Sequence, residues 1–265
     1  MSVTYPLGFR ARGVQAGLRT KPAPDLALIV NDGPRDTVAG VFTTNRVSAA
    51  PVQWSRQVVS DHKARAVIAN AAVANACTGI DGLTDSQCEA EHVATLVGCQ
   101  TDEVVVASTG VIGVRLDMPS ILVGATTAHT SLDRGDAVDE SAARAIMTTD
   151  TVPKSATVER NGTRFGGIAK GAGMLAPQLA TMLVFLTTDA VVDPEEFQDV
   201  LAQACDVTFS RVDSDACMST NDTVVAMSSG ASGVSLTGDA LVSTLTDLCA
   251  TLARQLVAHA AGSHH

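Results

Sequence analysis

Aromatic side chains are scarce. They make up 3% of the 265 residues, with a single Trp (Trp54) and a single Tyr (Tyr5), which disfavours the stacking platforms that bind single-stranded nucleic acid. Basic charge is also short: 18 Lys plus Arg stand against 28 Asp plus Glu, a net charge of -10. Phosphate-backbone binding needs clustered cations, and no basic block exists, so nucleic acid is not an expected partner. No apolar run reaches membrane-spanning length; the best, Leu183–Leu186, is soon flanked by Thr and Asp. Met1 to Leu18 carries arginines but no apolar leader core. An acidic chain without an export signal is expected in the cytoplasm.

Paired cysteine motifs are missing too. Cys77, Cys88, Cys99, Cys205, Cys217 and Cys249 form no C-x-x-C pair, and no His stands at zinc-finger spacing. Reduced thiols, mostly in the core, are the expectation. The scattered His residues give no support for a metal site, and none is expected. H-E-x-x-H, G-x-S-x-G and the P-loop pattern are absent.

What is present is a globular composition, 46% hydrophobic and 17% charged, with mixed α and β patterning. Apolar β-branched segments at Leu26–Val30, Val38–Phe42, Ala66–Ala69, Val104–Ala107 and Thr223–Met227 predict buried strands. Thr157–Arg160 and Thr163–Ile168 flank Asn161-Gly162, a type I′ hairpin signal. Helices are predicted over Ser86–Val97, Glu140–Met147, Pro194 to about Val207, and Asp239 to about His259. The third has Asp193 as cap and Glu196 as the reciprocal capping-box partner. The last has Leu241, Leu245, Leu248, Leu252 and Leu256 on one stripe. No regular βαβ period and no repeat is legible. Gly262–His265 is left out of the fold reading.

Three polar clusters interrupt apolar surroundings. Lys170-Gly171-Ala172-Gly173 opens a flexible loop that leads through Ala180 to Thr181 and a strand expected to begin near Thr181. On spacing alone this is a Gly-rich turn feeding a core strand. The chemical alternative is a self-cleaving loop whose new N-terminal Thr carries its own base. An α-amino group titrating near pH 7.7–8.0 (roughly) can take the hydroxyl proton. Ser108 to Gly113 follows a strand and offers a hydroxyl and backbone N–H groups to an oxyanion, or only a turn. Ser219 to Thr223 is either an Asx-type turn or a polar site, with Asp213 and Asp215 ahead of it as a carboxylate pair. Met147-Thr148-Thr149-Asp150 poses the same choice between a polar helix end and a ligand contact.

Taken together these segments resemble the ornithine acetyltransferase family of arginine biosynthesis. Lys170 to Leu183 is similar to the family's K-G-x-G-M-x-A-P-x-x-A-T-M-L signature. Ser108 to Gly113 matches S-T-G-x-I-G, and Met147 to Asp150 matches M-T-T-D. Ser219 to Thr223 matches S-T-N-D-T, and Asn75-Ala76-Cys77-Thr78-Gly79 is a further element. All five lie in the family's order along nearly the whole chain.

The resemblance implies a layered α/β (α+β) sandwich that cleaves itself between Ala180 and Thr181. Residues 1–180 would form one chain and 181–265 the N-terminal part of a second, usually assembled as an α₂β₂ heterotetramer. It implies Thr181 as nucleophile and Thr109 and Gly110 as the oxyanion hole. Thr148, Lys170 and Thr181 would bind substrate. The implied reaction is ping-pong acetyl transfer from N-acetylornithine to glutamate with release of ornithine, with acetyl-CoA as a further donor in bifunctional members and no cofactor. Three departures stand out. Asn70-Ala71-Ala72-Val73-Ala74-Asn75-Ala76 replaces N-S-G-N-A-N-A, and Asp215-Ala216 replaces an Asp-Gly pair. His259-Ala260-Ala261-Gly262 stands where members carry D-x-E-G and a further C-terminal region. Two other readings stay open at this point: a truncated, catalytically impaired family copy serving as a non-catalytic subunit, and an N-terminal-nucleophile hydrolase using Thr181 with water.

Overall fold

The computed structural model describes residues 1–172, 182–212 and 218–259. Two sheets lie face to face. The first has the order β1 (Phe9–Val14), β2 (Leu26–Asn31), β4 (Ala66–Val73), β5 (Val104–Val111). The second has the order β3 (Thr37–Phe42), β9 (Thr223–Ser228), β8 (Leu183–Thr188), β7 (Thr163–Lys170), β6 (Lys154–Arg160). Among the described residues six α-helices surround them: α1 (Ala50–Val58), α2 (Gly79–Val97), α3 (Met118–Thr130), α4 (Asp136–Ala145), α5 (Pro194–Val207) and α6 (Gly238–Ala258).

Side-chain alternation explains the layers. In β2, Ala27 and Ile29 face the second sheet, while Leu26, Leu28 and Val30 face α2 and α3. In β8, Leu183 and Phe185 point inward, while Val184 and Leu186 meet α5 and the leucine stripe of α6. A strand buried on both faces reads as a continuous apolar run, as these do. The result is an α–β–β–α sandwich, matching the layered expectation.

Both sheets share one wiring. An antiparallel pair (β1–β2, β6–β7) is followed by a parallel pair joined through a helix, β4–α2–β5 and β8–α5–β9. The sequence shows no βαβ period because β3 intervenes in the first half and crosses to the other sheet. All four edge strands are blunted by helix side chains that occupy their unpaired backbone groups. Ser55 of α1 donates to Val106 O (2.7 Å) and accepts from Val106 N (2.9 Å) on β5. Ser141 of α4 accepts from Gly13 N on β1 at 3.0 Å. Gln198 of α5 does the same twofold work on Gly40 of β3, and Gln255 of α6 on Ser155 of β6.

Most predicted elements are present with moved ends. The hairpin turn has Asn161 at φ 54° and Gly162 at φ 77°, both positive as type I′ requires. Several expectations need correction. The strand after the loop begins at Leu183, not Thr181. Helix α2 begins at Gly79 rather than Ser86, because Asn75 holds its first turn: Asn75 Nδ2 donates to Gly82 O (2.9 Å) and Ser86 Oγ (3.1 Å). Helix α4 is shifted to Asp136–Ala145. Asp193 does cap α5, accepting from Glu196 N at 3.0 Å, but Glu196 accepts from Gly238 N at 2.6 Å instead of closing a box. Of the described cysteines only Cys205 and Cys249 are buried; Cys77 is exposed, and Cys88 and Cys99 are half-buried. Strand β1 and helices α1 and α3 were not predicted.

Glu89 on the inner face of α2 is 1% exposed, and neither carboxylate oxygen has a partner among the described residues. Burial, with Asp85 one turn away, pushes its pKa up to about 8. Between about 4.5 and 8 the folded chain therefore holds a proton that the unfolded chain has lost. Stability falls by about 1.4 kcal/mol per pH unit as pH rises across that window. Urea unfolding from pH 5 to 8 is expected to show this slope in wild type and to lose it in Glu89→Gln. An unchanged slope in the variant would assign the pH dependence to another group.

Candidate functional site

At one end of the sandwich the C-terminal ends of β4 and β5 meet the end of β7 and the starts of β8 and β9. The register brings them level: Ala71 pairs with Thr109, Lys170 with Leu183, and Leu183 with Thr223. Asn221, just before β9, ties the two sheets together here. Its Nδ2 donates to Ala74 O at 2.6 Å and to Ser108 O at 2.8 Å.

Lys170 is 1% exposed, and its Nζ donates to Thr109 Oγ1 at 3.1 Å. Thr109 is itself buried. Because its oxygen accepts from a cation, its own O–H proton is left to donate elsewhere, and the cation polarises that O–H. Burial pushes the Lys170 pKa down to about 8 against the pull of Asp150 and Asp222, with Lys154 and Arg19 lowering it further. Gly110 follows at φ 131°, and a Cβ there would lie 2.1 Å from Ala72 O. Only glycine lets β5 turn against β4 at this corner.

Asp150 organises the opposite side. Its Oδ1 accepts from Lys154 Nζ at 2.6 Å and from Gly171 N at 2.8 Å; its Oδ2 accepts from Thr148 N at 3.1 Å. Both side chains of the Asp150–Lys154 pair are fully buried. Burial pushes the Asp150 carboxyl up, but Lys170, Lys154 and the Gly171 N–H outweigh it and hold the pKa below the usual range. Arg19 closes this corner, donating from Nε to Ala71 O at 2.6 Å and from its guanidinium to Met147 O.

Asp222, immediately before β9, is fully buried. Its Oδ1 accepts from Met182 N at 3.0 Å, and its Oδ2 has no partner among the described residues. Burial pushes its pKa up to about 7, against the pull of the Met182 N–H and Lys170 and of the nearby Thr43 and Ser219 hydroxyls.

The structure thus brings together Thr109, Gly110, Lys170 and, through Asp150, Thr148. Ala180 and Thr181 lie outside the described residues, as do Asp213, Asp215 and the stretch from Ala260; the flanks Gly171-Ala172 and Met182 are described and both sit at this end. The Asn75–Gly79 element leads into the first turn of α2, with Thr78 Oγ1 donating to Asn75 Oδ1 at 2.7 Å. The sequence singles out neither Lys154 nor Arg19, and it offers Asp150 and Asp222 only as members of the Met147–Asp150 and Ser219–Thr223 segments. The Asp150–Lys154 spacing of four, outside a helix, was the one available hint. Among the described residues no cluster of His, Cys, Asp or Glu fits a metal ion. No described helix is long and apolar enough to cross a membrane.

Comparison with known proteins gives matches over almost the whole chain. The ArgJ family matches residues 10–265. The arginine biosynthesis bifunctional protein ArgJ of Thermobifida fusca is 52% identical over 263 residues, which cover 99% of this chain and 68% of that protein. The ornithine acetyltransferase of Mycobacterium tuberculosis, solved in complex with ornithine, is 45% identical with a TM-score of 0.66. It covers 69% of this chain and 96% of its own. An arginine biosynthesis bifunctional protein from Bacillus halodurans aligns over the same share, at 34% identity and a TM-score of 0.62, covering 95% of its own chain.

Proposed function

We propose that this chain, which belongs to the ArgJ family, works through a threonine nucleophile that it generates by cutting itself between Ala180 and Thr181. The protein is an acetyltransferase of arginine biosynthesis, moving acetyl from N2-acetylornithine to glutamate. The reading of a non-catalytic family copy is not favoured.

The observation that carries the mechanism is the 3.1 Å contact between Lys170 and Thr109. It joins the strand end that leads into the cleavage loop to the strand end that offers oxyanion donors, across two different sheets. Cleavage would free the α-amino group of Thr181, which takes the hydroxyl proton as Oγ attacks the acetyl carbonyl. The oxyanion then faces the Thr109 hydroxyl, polarised by Lys170, and the backbone at Gly110. Collapse releases ornithine and leaves acetyl on Thr181; the amine of glutamate takes it in the second half-reaction. Thr148, Lys170 and Thr181 hold substrate, with Asp150 fixing the first two. Acetyl-CoA serves as a second acyl donor, and no cofactor is needed. The cleaved chains remain together in a cytoplasmic α₂β₂ heterotetramer.

The lengths of the solved relatives support the cut. Their chains are covered almost whole, 96% and 95%, by a match to 69% of this chain. Residues 1–180 are 180 of 265, about 68% of it. A denaturing gel of purified protein is expected to show fragments of 180 and 85 residues, and Thr181→Ala to stay whole. Incubation with N-acetylornithine alone should leave one acetyl group on the smaller fragment. A single full-length band from folded, active wild type would overturn this reading.

A further inference from the structure

We infer that Arg19 is a specificity-determining residue of the transfer reaction, holding the second carboxylate of glutamate, the one that ornithine lacks. This rests on the acetyl-transfer reading above and names the residue by which one site tells its two amino-acid substrates apart.

Placement comes first. Arg19 stands on a loop pinned by Asp25, which is fully buried. Asp25 accepts from the backbone N–H groups of Ala16 (2.6 Å), Leu18 (2.8 Å) and Arg19 (3.2 Å). From this anchor the guanidinium reaches into the candidate site. Its Nε donates to Ala71 O at 2.6 Å, and Ala71 is the β4 partner of Thr109. Its Nη2 donates to the carbonyl of Met147, the residue before Thr148. The guanidinium is thus fixed between the segments that carry Thr109 and Thr148. Nη1 donates to no acceptor among the described residues, and the side chain is half-buried. One edge of the fork is left for a ligand.

Charge comes second. Three cations meet at this end of the sandwich. Lys154 has the Asp150 carboxylate at 2.6 Å. Among the described residues Lys170 touches only the Thr109 hydroxyl, and Arg19 touches only two carbonyls. Asp25 is occupied by backbone N–H groups. The two cations share one site: burial lowers the Lys170 pKa, and the charge of Arg19 adds to that. Cations taken out of water without a carboxylate in contact are costly. The pair therefore fits a ligand that brings two negative groups to one place.

The substrates differ in that respect. N2-acetylornithine and glutamate share an α-carboxylate, which Lys170 can hold in both half-reactions. At the far end ornithine carries an ammonium and glutamate a carboxylate. A guanidinium there attracts the acceptor and repels the side chain of the departing ornithine. Arginine suits the task, because its planar fork stays charged and matches a carboxylate in two hydrogen bonds. Its two carbonyl contacts hold the fork in place before the ligand arrives.

The test compares glutamate with glutamine, which has the same shape and no side-chain charge, as acceptors in steady-state transfer from N-acetylornithine. Wild type is expected to prefer glutamate in kcat/KM by about tenfold or more. Arg19→Gln is expected to lower the glutamate-to-glutamine ratio by about 10–10²-fold, the range of one charged hydrogen bond, chiefly through a higher KM for glutamate. Arg19→Lys keeps the charge without the fork, and should retain a larger ratio than Arg19→Gln. A wild type that uses both acceptors equally well overturns the proposal, whether or not the variants fold. So does an Arg19→Gln enzyme that keeps the wild-type ratio while both values fall together, since Arg19 then only braces Ala71 and Met147. In either case wild type still transfers to glutamate, and the transfer reading stands. A wild type that transfers acetyl to neither acceptor overturns that reading and this proposal with it.

Discussion

Gly110→Ala is expected to abolish both cleavage and acetyl transfer and to lower the stability of the fold. The new Cβ would stand 2.1 Å from Ala72 O, a backbone atom of the neighbouring strand. At φ 131° the residue also occupies a conformation that side chains disfavour. The clash has no soft partner to give way, so β4 and β5 must part at their C-terminal ends. Strain of this kind costs about 1–3 kcal/mol for the backbone conformation alone, and the clash adds to it. Thr109→Ala one residue earlier is the contrasting case. It removes the hydroxyl that accepts from buried Lys170, which costs about 1–3 kcal/mol, and it should lower the melting temperature less than Gly110→Ala does. Loss of one oxyanion donor lowers the rate by about 10²–10³, or about 2.7–4 kcal/mol of barrier. Thermal melts and transfer rates of the two variants separate these outcomes. If Thr109→Ala reacts at the wild-type rate, Thr109 is a turn residue and the oxyanion lies elsewhere.

The sequence carried most strands because their chemistry is local. Leu26–Val30 and Val224–Met227 are apolar throughout and rich in β-branched residues, which marks burial on both faces. The leucine stripe of α6 and the Asp193-Pro194 start of α5 are equally local. Helix α3 was not legible, since Met118–Thr130 mixes Thr, Gly and β-branched residues with a weak apolar face. Strand β1 places Arg10 and Arg12 among its residues and depends on pairing with β2. The shared wiring of the two sheets was hidden for a similar reason: strand order is long-range, and β3 interrupts the pattern.

The site divides along the same line. Thr109, Gly110, Thr148 and Lys170 stand in motifs that the sequence shows directly. Asp150 and Asp222 were visible only as the acidic members of polar turns, because what distinguishes them is three-dimensional. Asp150 matters through the backbone N–H groups of Thr148 and Gly171, which lie on either side of the hairpin β6–β7. Asp222 matters through the N–H of Met182, forty residues earlier. Side-chain bonds to distant backbone leave no residue pattern to read.

Asp150→Ala should be the most destabilising single change in the site. Two buried cations, Lys154 at 2.6 Å and the more distant Lys170, share this one carboxylate, and Lys154 is fully enclosed with it. Removing one partner of a buried pair strands the other charge and typically costs about 3–5 kcal/mol. The N–H groups of Gly171 and Thr148 lose their acceptor at the same time, so the entry to the cleavage loop loosens and self-cleavage should slow as well. The pH dependence has a definite sign. With its folded pKa held below the ordinary value of 3.8, Asp150 contributes its full stabilisation above that value. The contribution is lost as pH falls through the folded pKa, when the carboxyl is protonated in both states. Urea midpoints should therefore separate wild type from Asp150→Ala most at neutral pH and converge in strong acid. A second substitution decides between a stranded charge and a merely lost contact. In Asp150→Ala with Lys154→Met, the buried cation is replaced by an apolar chain of similar length, and part of the lost stability should return. If the double variant is no more stable than Asp150→Ala alone, the cost lies in the unsatisfied Gly171 and Thr148 amides and not in the charge left on Lys154.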